Sequence, residues 1–379
     1  MRINLHIAIT PFKNDSRILK ESKTILENNI ADKIIIVALW EEGELKYQHI
    51  DRNRDVWRVS LRTRGLPKNL FFQLFKYVEF TIRVLAGIRN RKISIVNCHD
   101  LLVLSIGVLI KKIYGPVLVY DTHELETEKN GLTQITKPLS KILEKILIKY
   151  TDAIIVVSNA IADEYRKMYK FGKPYVVLNA PTFSKVKKHN IFRQKFKISE
   201  HARIFLYQGN LMANRGIEQI LEAFMNINNP EKNTIIFLGY GPLTDKILGY
   251  AKRHSNIYFH KAVPPGVLLD YTSSADVGMS LIEASCLSYY YCLPNKFFEY
   301  IMAGLPVLIS NLPEMKKIIE AEKIGTVIKD ITPEEIRRTI ELLDDDTLSM
   351  YKKNTAKSAE KYNWERQEKV LIEAYQGLF

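Results

Sequence analysis

Short runs of β-branched and aliphatic residues alternate along the whole chain with longer stretches in which apolar residues recur every three or four positions. Alternation of this kind builds parallel sheets with helices packed on both faces. The first series of strand candidates is Ile3–Ile9, Ile34–Leu39, Ile93–Asn97, Val117–Tyr120, Ala153–Val157 and Tyr175–Leu178. A second series runs through Ile204–Tyr207, Thr234–Leu238, Ile257–His260, Asp276–Leu281 and Pro306–Ile309. Between them, spacings such as Leu139, Ile142, Leu143, Ile146 and Leu147 predict amphipathic helices.

A polar stretch, Thr182–Lys197, separates the two series and carries Lys185, Lys187, Lys188, Arg193, Lys195 and Lys197 without an acid, so it reads as an interdomain linker. With 379 residues and about 150 per domain, two domains fit the length. The expected division is 1–181 and 182–363. Each half is expected to be a Rossmann-like, doubly wound α/β domain, with ligands in a cleft between them.

An apolar fraction of 46% against 26% charged residues excludes a disordered chain. Lys and Arg number 55 against 42 Asp and Glu, a formal net charge of +13, which argues for an anionic partner: phosphate, nucleic acid or a lipid surface. Three cysteines, Cys98, Cys286 and Cys292, exclude a disulfide scaffold, and none forms a CxxC pair for structural zinc. A reducing, cytoplasmic compartment is expected. The longest apolar stretch, near Leu101–Ile110, is about half the ~20 residues of a bilayer span. The N-terminal MRINLHIAIT is interrupted by Asn4 and His6, which predicts a strand and not a signal peptide.

Three expected helix starts carry a cation where the helix dipole disfavours one: Arg17, Arg215 and Lys296. A solvated surface cation is the plain alternative at each. Three such sites, each just after a strand, favour phosphate, which also collects the free amides of a helix start. In Ser288–Ser310 the helix after Pro294 buries Phe297, Phe298, Ile301 and Leu305 on one face, while Asn295, Glu299 and Ala303 fall on another. A carboxylate at Glu299 suits the vicinal diol of a ribose.

PNKFFEYIMAGLPVLIS, starting at Pro294, resembles the C-terminal half of the E-x7-E signature of GT-B-fold retaining glycosyltransferases of family 4, the group 1 glycosyl transferases. LYQGNLMANRGIEQILEAF (Leu206–Phe224) resembles that family's pyrophosphate-binding segment, and FLGYGP, LLDYTSSADVGMSL, DSRILKE and VYDTHE are similar to further stretches. The resemblance implies a GT-B architecture whose last helix, 364–379, crosses back to the first domain. That first domain would serve the acceptor and the second the donor. It implies that Glu299 holds ribose hydroxyls and that Arg215, with Lys296, clamps the diphosphate. Backbone around Leu293, Pro294 and Asn295 would reach phosphate and sugar; backbone at Lys261–Val263 would hold the base, with Gly209, Asn210, Gly239 and Gly241 lining the approach. His123 would meet the transferred sugar, and Arg17, His99 and Glu124 would lie on the acceptor or phosphate side. Asp121, His123 and Glu124 also read as turn or capping residues, and Asp100 reads as an N-cap that would make His99 incidental.

Two positions depart from the family pattern. Tyr291 stands where the first glutamate of E-x7-E belongs, and Asn210 where many members carry an arginine; Glu283 is a candidate to substitute for the missing carboxylate. Sequence spacing gives no metal cluster, and Asp344, Asp345 and Asp346 read as a solvated turn. The expectation is metal-independent, cofactor-free hexosyl transfer from a nucleotide-sugar to a lipid-linked or cell-envelope glycan, retaining by resemblance. A noncatalytic nucleotide-sugar-binding subunit is the alternative. An NAD-dependent oxidoreductase is disfavoured because no G-x-G-x-x-G follows the first strand. From Arg58 to Lys92, nine bases (Arg58, Arg62, Arg64, Lys68, Lys76, Arg83, Arg89, Arg91, Lys92) face one acid, Glu79, with Leu70, Phe71, Phe72, Leu74 and Phe75 interleaved. That composition suits an anionic membrane surface, on its inner face, or else a buried helix with basic ends. No nucleic-acid module is recognised, so nucleic acid is not an expected partner.

Overall fold

The structure, a computed structural model, describes residues 1–13, 15–169 and 172–378. The chain divides into two units, Met1–Val177 with the C-terminal stretch from Glu368 on, and Leu178–Gln367. The first unit runs β1 (Ile3–Ile7), α1 (Ser16–Glu27), β2 (Lys33–Leu39), β3 (Tyr47–His49), β4 (Arg54–Val59), α2 (Leu70–Ile88) and β5 (Ile93–His99). It continues with α3 (Leu101–Tyr114), β6 (Val117–Asp121), α4 (Thr136–Leu147), β7 (Ala153–Val156), α5 (Asn159–Tyr169) and β8 (Tyr175–Val176). The sheet order is β3-β4-β2-β1-β5-β6-β7-β8, parallel apart from β3 against β4. The order turns at β1 and β5, which are neighbours. Right-handed crossovers therefore place α1 on one face and α2, α3, α4 and α5 on the other.

Strands β3 and β4 have no counterpart among the sequence candidates. The residues of β3 are exposed, and the apolar run of β4 is broken by Arg54, Asp55 and Arg58. Arg58 is nevertheless buried, because the carbonyls of Pro11, Leu45 and Phe12 accept its guanidinium protons at 2.9–3.0 Å. Helix α4 also reverses its expected orientation. Leu139, Ile142, Leu143 and Ile146 are exposed, and Glu144 and Leu147 are its buried residues. The Glu144 carboxylate accepts from the hydroxyls of Tyr120, Tyr165 and Tyr169 at 2.5–2.7 Å. Those three bonds fix the face that turns inward.

The second unit runs α6 (Ile191–Phe196), β9 (Arg203–Asn210), α7 (Ile217–Met225), β10 (Asn233–Tyr240), α8 (Thr244–Ala251), β11 (Ile257–Lys261), α9 (Pro265–Ser273) and β12 (Val277–Ser280). It ends with α10 (Leu287–Tyr290), α11 (Asn295–Met302), β13 (Val307–Ser310), α12 (Pro313–Glu322), β14 (Gly325–Ile328), α13 (Pro333–Leu342), α14 (Asp345–Ser358) and α15 (Trp364–Gln376). Its parallel sheet has the order β11-β10-β9-β12-β13-β14. Alternation along β9 sends Ile204 and Leu206 into one core with Phe297 and Ile301 of α11, and Phe205 and Tyr207 into the other with Ile220 and Phe224 of α7.

The basic stretch read as a linker is partly built into this unit. Phe192 is fully buried, and Asp276 receives Arg193 at 2.9 Å and Lys188 at 3.0 Å. The end of α15 belongs to the first unit, where Glu368 accepts from Thr24 at 3.3 Å and the Tyr375 hydroxyl accepts from the Asn97 amide. Phe379, the last residue of the helix expected over 364–379, lies outside the described residues. Among the described residues no disulfide joins the three cysteines, and no helix is long and apolar enough to cross a membrane.

Candidate functional site

In the second unit the C-terminal ends of β9, β10 and β11 lie side by side, with Gly209 opposite Gly239 and Gly239 opposite Lys261. This is the edge at which parallel sheets bind ligands. A Cβ on Gly239 would stand 1.9 Å from the Gly209 carbonyl oxygen, so no other residue fits there. Gly209 itself has φ +112°, and the Lys296 side chain passes 3.6 Å from where its Cβ would be.

Lys296 lies in the first turn of α11 and is buried. Its Nζ sits 3.6 Å from the centroid of the Tyr207 ring. Burial, and then the neighbouring Arg215, push its pKa well below the ordinary lysine value. Arg215 precedes α7 and stacks on Tyr289, with Cζ 4.4 Å from the ring centroid and Nη2 donating to the hydroxyl at 3.1 Å. Its Nε is buried with no hydrogen-bond partner. Neither cation has a carboxylate partner within 4.0 Å among the described residues. Two neighbouring basic groups, one with an orphaned donor, could together hold an anion.

Glu299 stands one turn further along α11. Its Oε2 accepts from Gln208 Nε2 at 2.5 Å, and Gln208 Oε1 accepts from Thr272 Oγ1 at 2.8 Å. Gln208 therefore orients the carboxylate from the strand beside it. Pro294 is the N-cap of α11 and provides no side-chain cap bond to the first turn. Asn295 Oδ1 accepts from Asn179 at 2.8 Å. Leu293 is buried in the core and Val263 packs against it, so these two can offer a ligand backbone only. The Ala262 amide between Lys261 and Val263 is spent on the Gly239 carbonyl at 3.1 Å. Asn210 is exposed at the end of β9, and a Cβ on Gly241 would meet its Oδ1 at 2.8 Å.

Of the two departures, Tyr291 caps α10 with its ring beside Tyr290, centroids 5.1 Å apart. Glu283 accepts from Gln219 Nε2 at 3.4 Å. Tyr207, Gln208, Thr272 and Tyr289 were not singled out in the sequence. The signal for the first two was their place just before Gly209, where a strand's last side chains reach the ligand edge.

The first unit gathers a second cluster where β1, β5 and β6 end. Arg17 donates to both Asp121 oxygens at 2.9 and 2.7 Å and to the Val177 carbonyl at 2.9 Å, and it lies 2.9 Å from Glu21. It is an internal counter-ion, so its donors are already used and the expected phosphate role does not fit it. His99 bridges His6 at 2.9 Å and Asp121 at 3.1 Å. His123, on the loop after β6, meets the same Asp121 oxygen at 3.1 Å with 28% of its side chain exposed. Burial opposes its charge, but Asp121 outweighs this and raises His123 to about 9. Burial, and then Asp121, push Glu21 well above the usual carboxylate range. Glu124 is partly buried next to His123. Asp100 occupies the N-cap of α3, but Glu126, not Asp100, accepts the Leu101 amide, at 3.0 Å.

Sequence spacing had flagged no metal cluster, yet His99, Asp121 and His123 bring ligand atoms within 4.8 Å of one another. The Arg17 guanidinium on both Asp121 oxygens would repel an ion there, so these groups form a hydrogen-bonded network. A cavity of about 860 Å³ lies at the opposite, N-terminal edge of the second sheet. Its buried and partly buried cations are paired, Arg193 with Asp276 at 2.9 Å and Arg203 with Asp345 at 2.8 Å, and Lys232 in its lining is exposed, so it lacks the buried, unmatched cation of the α11 site.

Two family models match the chain: one described as Glycosyltransferase Family 4 over residues 32–180, the other as Glycosyl transferases group 1 over residues 188–362. The chain belongs to the group 1 glycosyltransferases. The second match spans the whole Arg215, Lys296 and Glu299 site. The glycosyltransferase is 24% identical over 347 residues to an uncharacterized glycosyltransferase of Methanocaldococcus jannaschii, covering 87% of this chain and 86% of that one. In fold it is similar to sucrose-phosphate synthase of Thermosynechococcus elongatus, with TM-score 0.81, 15% identity and coverage of 100% and 99%. It is also similar to Anabaena HepE in complex with UDP-glucose, with TM-score 0.75, 12% identity and full coverage of both chains. The fold is GT-B.

Proposed function

We propose that this glycosyltransferase moves a hexose from a nucleoside diphosphate sugar to a lipid-linked or cell-envelope glycan. Transfer retains the anomeric configuration, needs no metal ion or other cofactor, and takes place on the inner face of the membrane. The observation that carries the donor reading is the pair Arg215 and Lys296, unmatched by any carboxylate within 4.0 Å among the described residues and set beside Glu299 at the ligand edge of the second sheet. The HepE structure with UDP-glucose supports a uridine nucleotide as the first donor to try.

As the bond from the anomeric carbon to the diphosphate breaks, charge grows on phosphate oxygens. Preorganised cations stabilise that charge without reorganising. The acceptor oxygen forms the new bond to the same carbon, and its proton passes to the departing phosphate. Glu299 holds the ribose, oriented by Gln208. His123, held cationic by Asp121, is the first-unit group assigned to the sugar.

The test is a thermal-shift panel of UDP, GDP, CDP and dTDP sugars, since a ligand that binds only the folded state raises the melting temperature. A stabilising donor, followed by its turnover with a lipid-linked acceptor, supports the reading. No shift with any donor contradicts it.

A further inference from the structure

Helices α2, α3 and α4 share one face of the first sheet, and their outward surface is apolar. Leu70, Phe71, Leu74, Phe75, Val78 and Ile82 of α2 are 45–70% exposed, while only Phe80, Val84 and Ile88 of that helix are buried. Leu102 and Ile113 of α3 are 61% and 54% exposed, and Leu139, Ile142 and Ile146 of α4 are 54–57% exposed. Tyr77 of α2 bonds Ser105 and the Leu102 carbonyl of α3, and α3 packs on α4, so the three helices form one layer. Isolated apolar side chains on a surface need no explanation, but a contiguous patch marks an interaction site.

Helix α4 makes the orientation deliberate. Its carboxylate points inward onto three tyrosine hydroxyls while its aliphatic stripe points out. A helix folding only for its own domain would bury the stripe and solvate the acid. The rim of the layer is basic. Arg89, Arg91 and Lys92 follow α2, Lys112 ends α3, and Lys145 and Lys149 end α4. None of these six has a carboxylate partner within 4.0 Å among the described residues. The helices run parallel, so these bases gather along one edge.

The geometry points to the outer face of α2, α3 and α4 as a docking surface for an anionic lipid bilayer. Phe71, Leu74, Phe75, Ile142 and Ile146 enter the headgroup–acyl boundary, and the rim bases engage lipid phosphates. An apolar face with a basic edge matches such a surface on both counts. Arg58, within the basic stretch first read as lipid-facing, is buried and takes no part. The inference rests on the proposed lipid-borne acceptor for its purpose, but its test does not require transfer.

Flotation of the full chain with vesicles of phosphatidylcholine alone, or with about a third phosphatidylglycerol, tests it. We expect binding to the anionic vesicles that weakens between about 0.1 and 0.5 M salt as screening shortens. The single variants Leu74→Glu and Ile142→Glu should each lower partitioning about tenfold, as loss of one buried aliphatic anchor implies. Their nucleotide-induced thermal shift should stay unchanged, showing that the fold and donor site are intact. Equal partitioning of variants and wild type, binding independent of anionic lipid, or no binding overturns the proposal. So does a stable dimer that Ile142→Glu dissociates, because a second copy would then cover this face. Loss of the nucleotide shift in the wild type contradicts the donor reading and leaves the flotation result to stand by itself.

Discussion

At the level of single residues the proposed donor site rests on Arg215 and Lys296. Arg215→Ala should cost roughly 2–4 kcal/mol of transition-state stabilisation, read as kcat/KM for sugar transfer, as for loss of one preorganised donor. Far-ultraviolet circular dichroism should not change, because Arg215 lies outside the apolar stripe of α7. Lys296 gives a second prediction. Burial and Arg215 lower its pKa and an arriving anion opposes both, so diphosphate binding should take up protons over the pH range in which the free amine titrates. Calorimetric titration in buffers of different ionisation enthalpy reads that uptake, and Lys296→Met should abolish it. These two residues were legible in sequence because a cation at a helix start is out of place without an anion. Tyr207, Tyr289 and Gln208 were not, since an aromatic face under a cation or an amide behind a carboxylate leaves no spacing pattern. Arg17 obeyed the same helix-start rule and came out differently, its guanidinium committed to Asp121 inside the fold.

The alternation of strands and helices revealed most elements and both sheets, because a parallel strand buried on two faces needs a continuous apolar run. Strand β4 escaped since Arg58 satisfies its charge on three carbonyls and can be buried within a strand. Helix α4 was seen as a helix but with its faces interchanged. Periodicity locates a stripe; what the stripe faces depends on partners such as Tyr120 and Tyr165, distant in sequence. The three hydroxyls on Glu144 make a testable contribution. Glu144→Ala leaves them without their acceptor, at about 1–3 kcal/mol for each buried group left unpaired. The midpoint of urea unfolding of the first unit should fall accordingly. Glu144→Gln, which keeps an acceptor oxygen, should lose less.

For the whole molecule, the Asp121 cluster ties stability to pH. His123 binds its proton more tightly folded, at about 9, than the ordinary value near 6.5. The stabilisation is therefore complete below about pH 6.5 and is lost as pH rises through about 9, amounting to about 3 kcal/mol. Melting temperatures should fall across that window in the wild type, and His123→Asn should flatten the decline. The two-unit organisation was readable from the paired strand series, and the model described as Glycosyl transferases group 1 matches within the second of them. In the proposed donor site a nucleoside diphosphate is anchored with its ribose on Glu299. Calorimetric titration of UDP and its 2′,3′-dideoxy analogue into wild type and Glu299→Gln tests that placement. Removing one charge-assisted hydrogen bond, about 1.5–3 kcal/mol, should weaken UDP by roughly ten- to a hundredfold, while the analogue, lacking the diol, should bind both proteins equally weakly. Equal affinity of UDP for the two proteins would rule out a ribose held by Glu299.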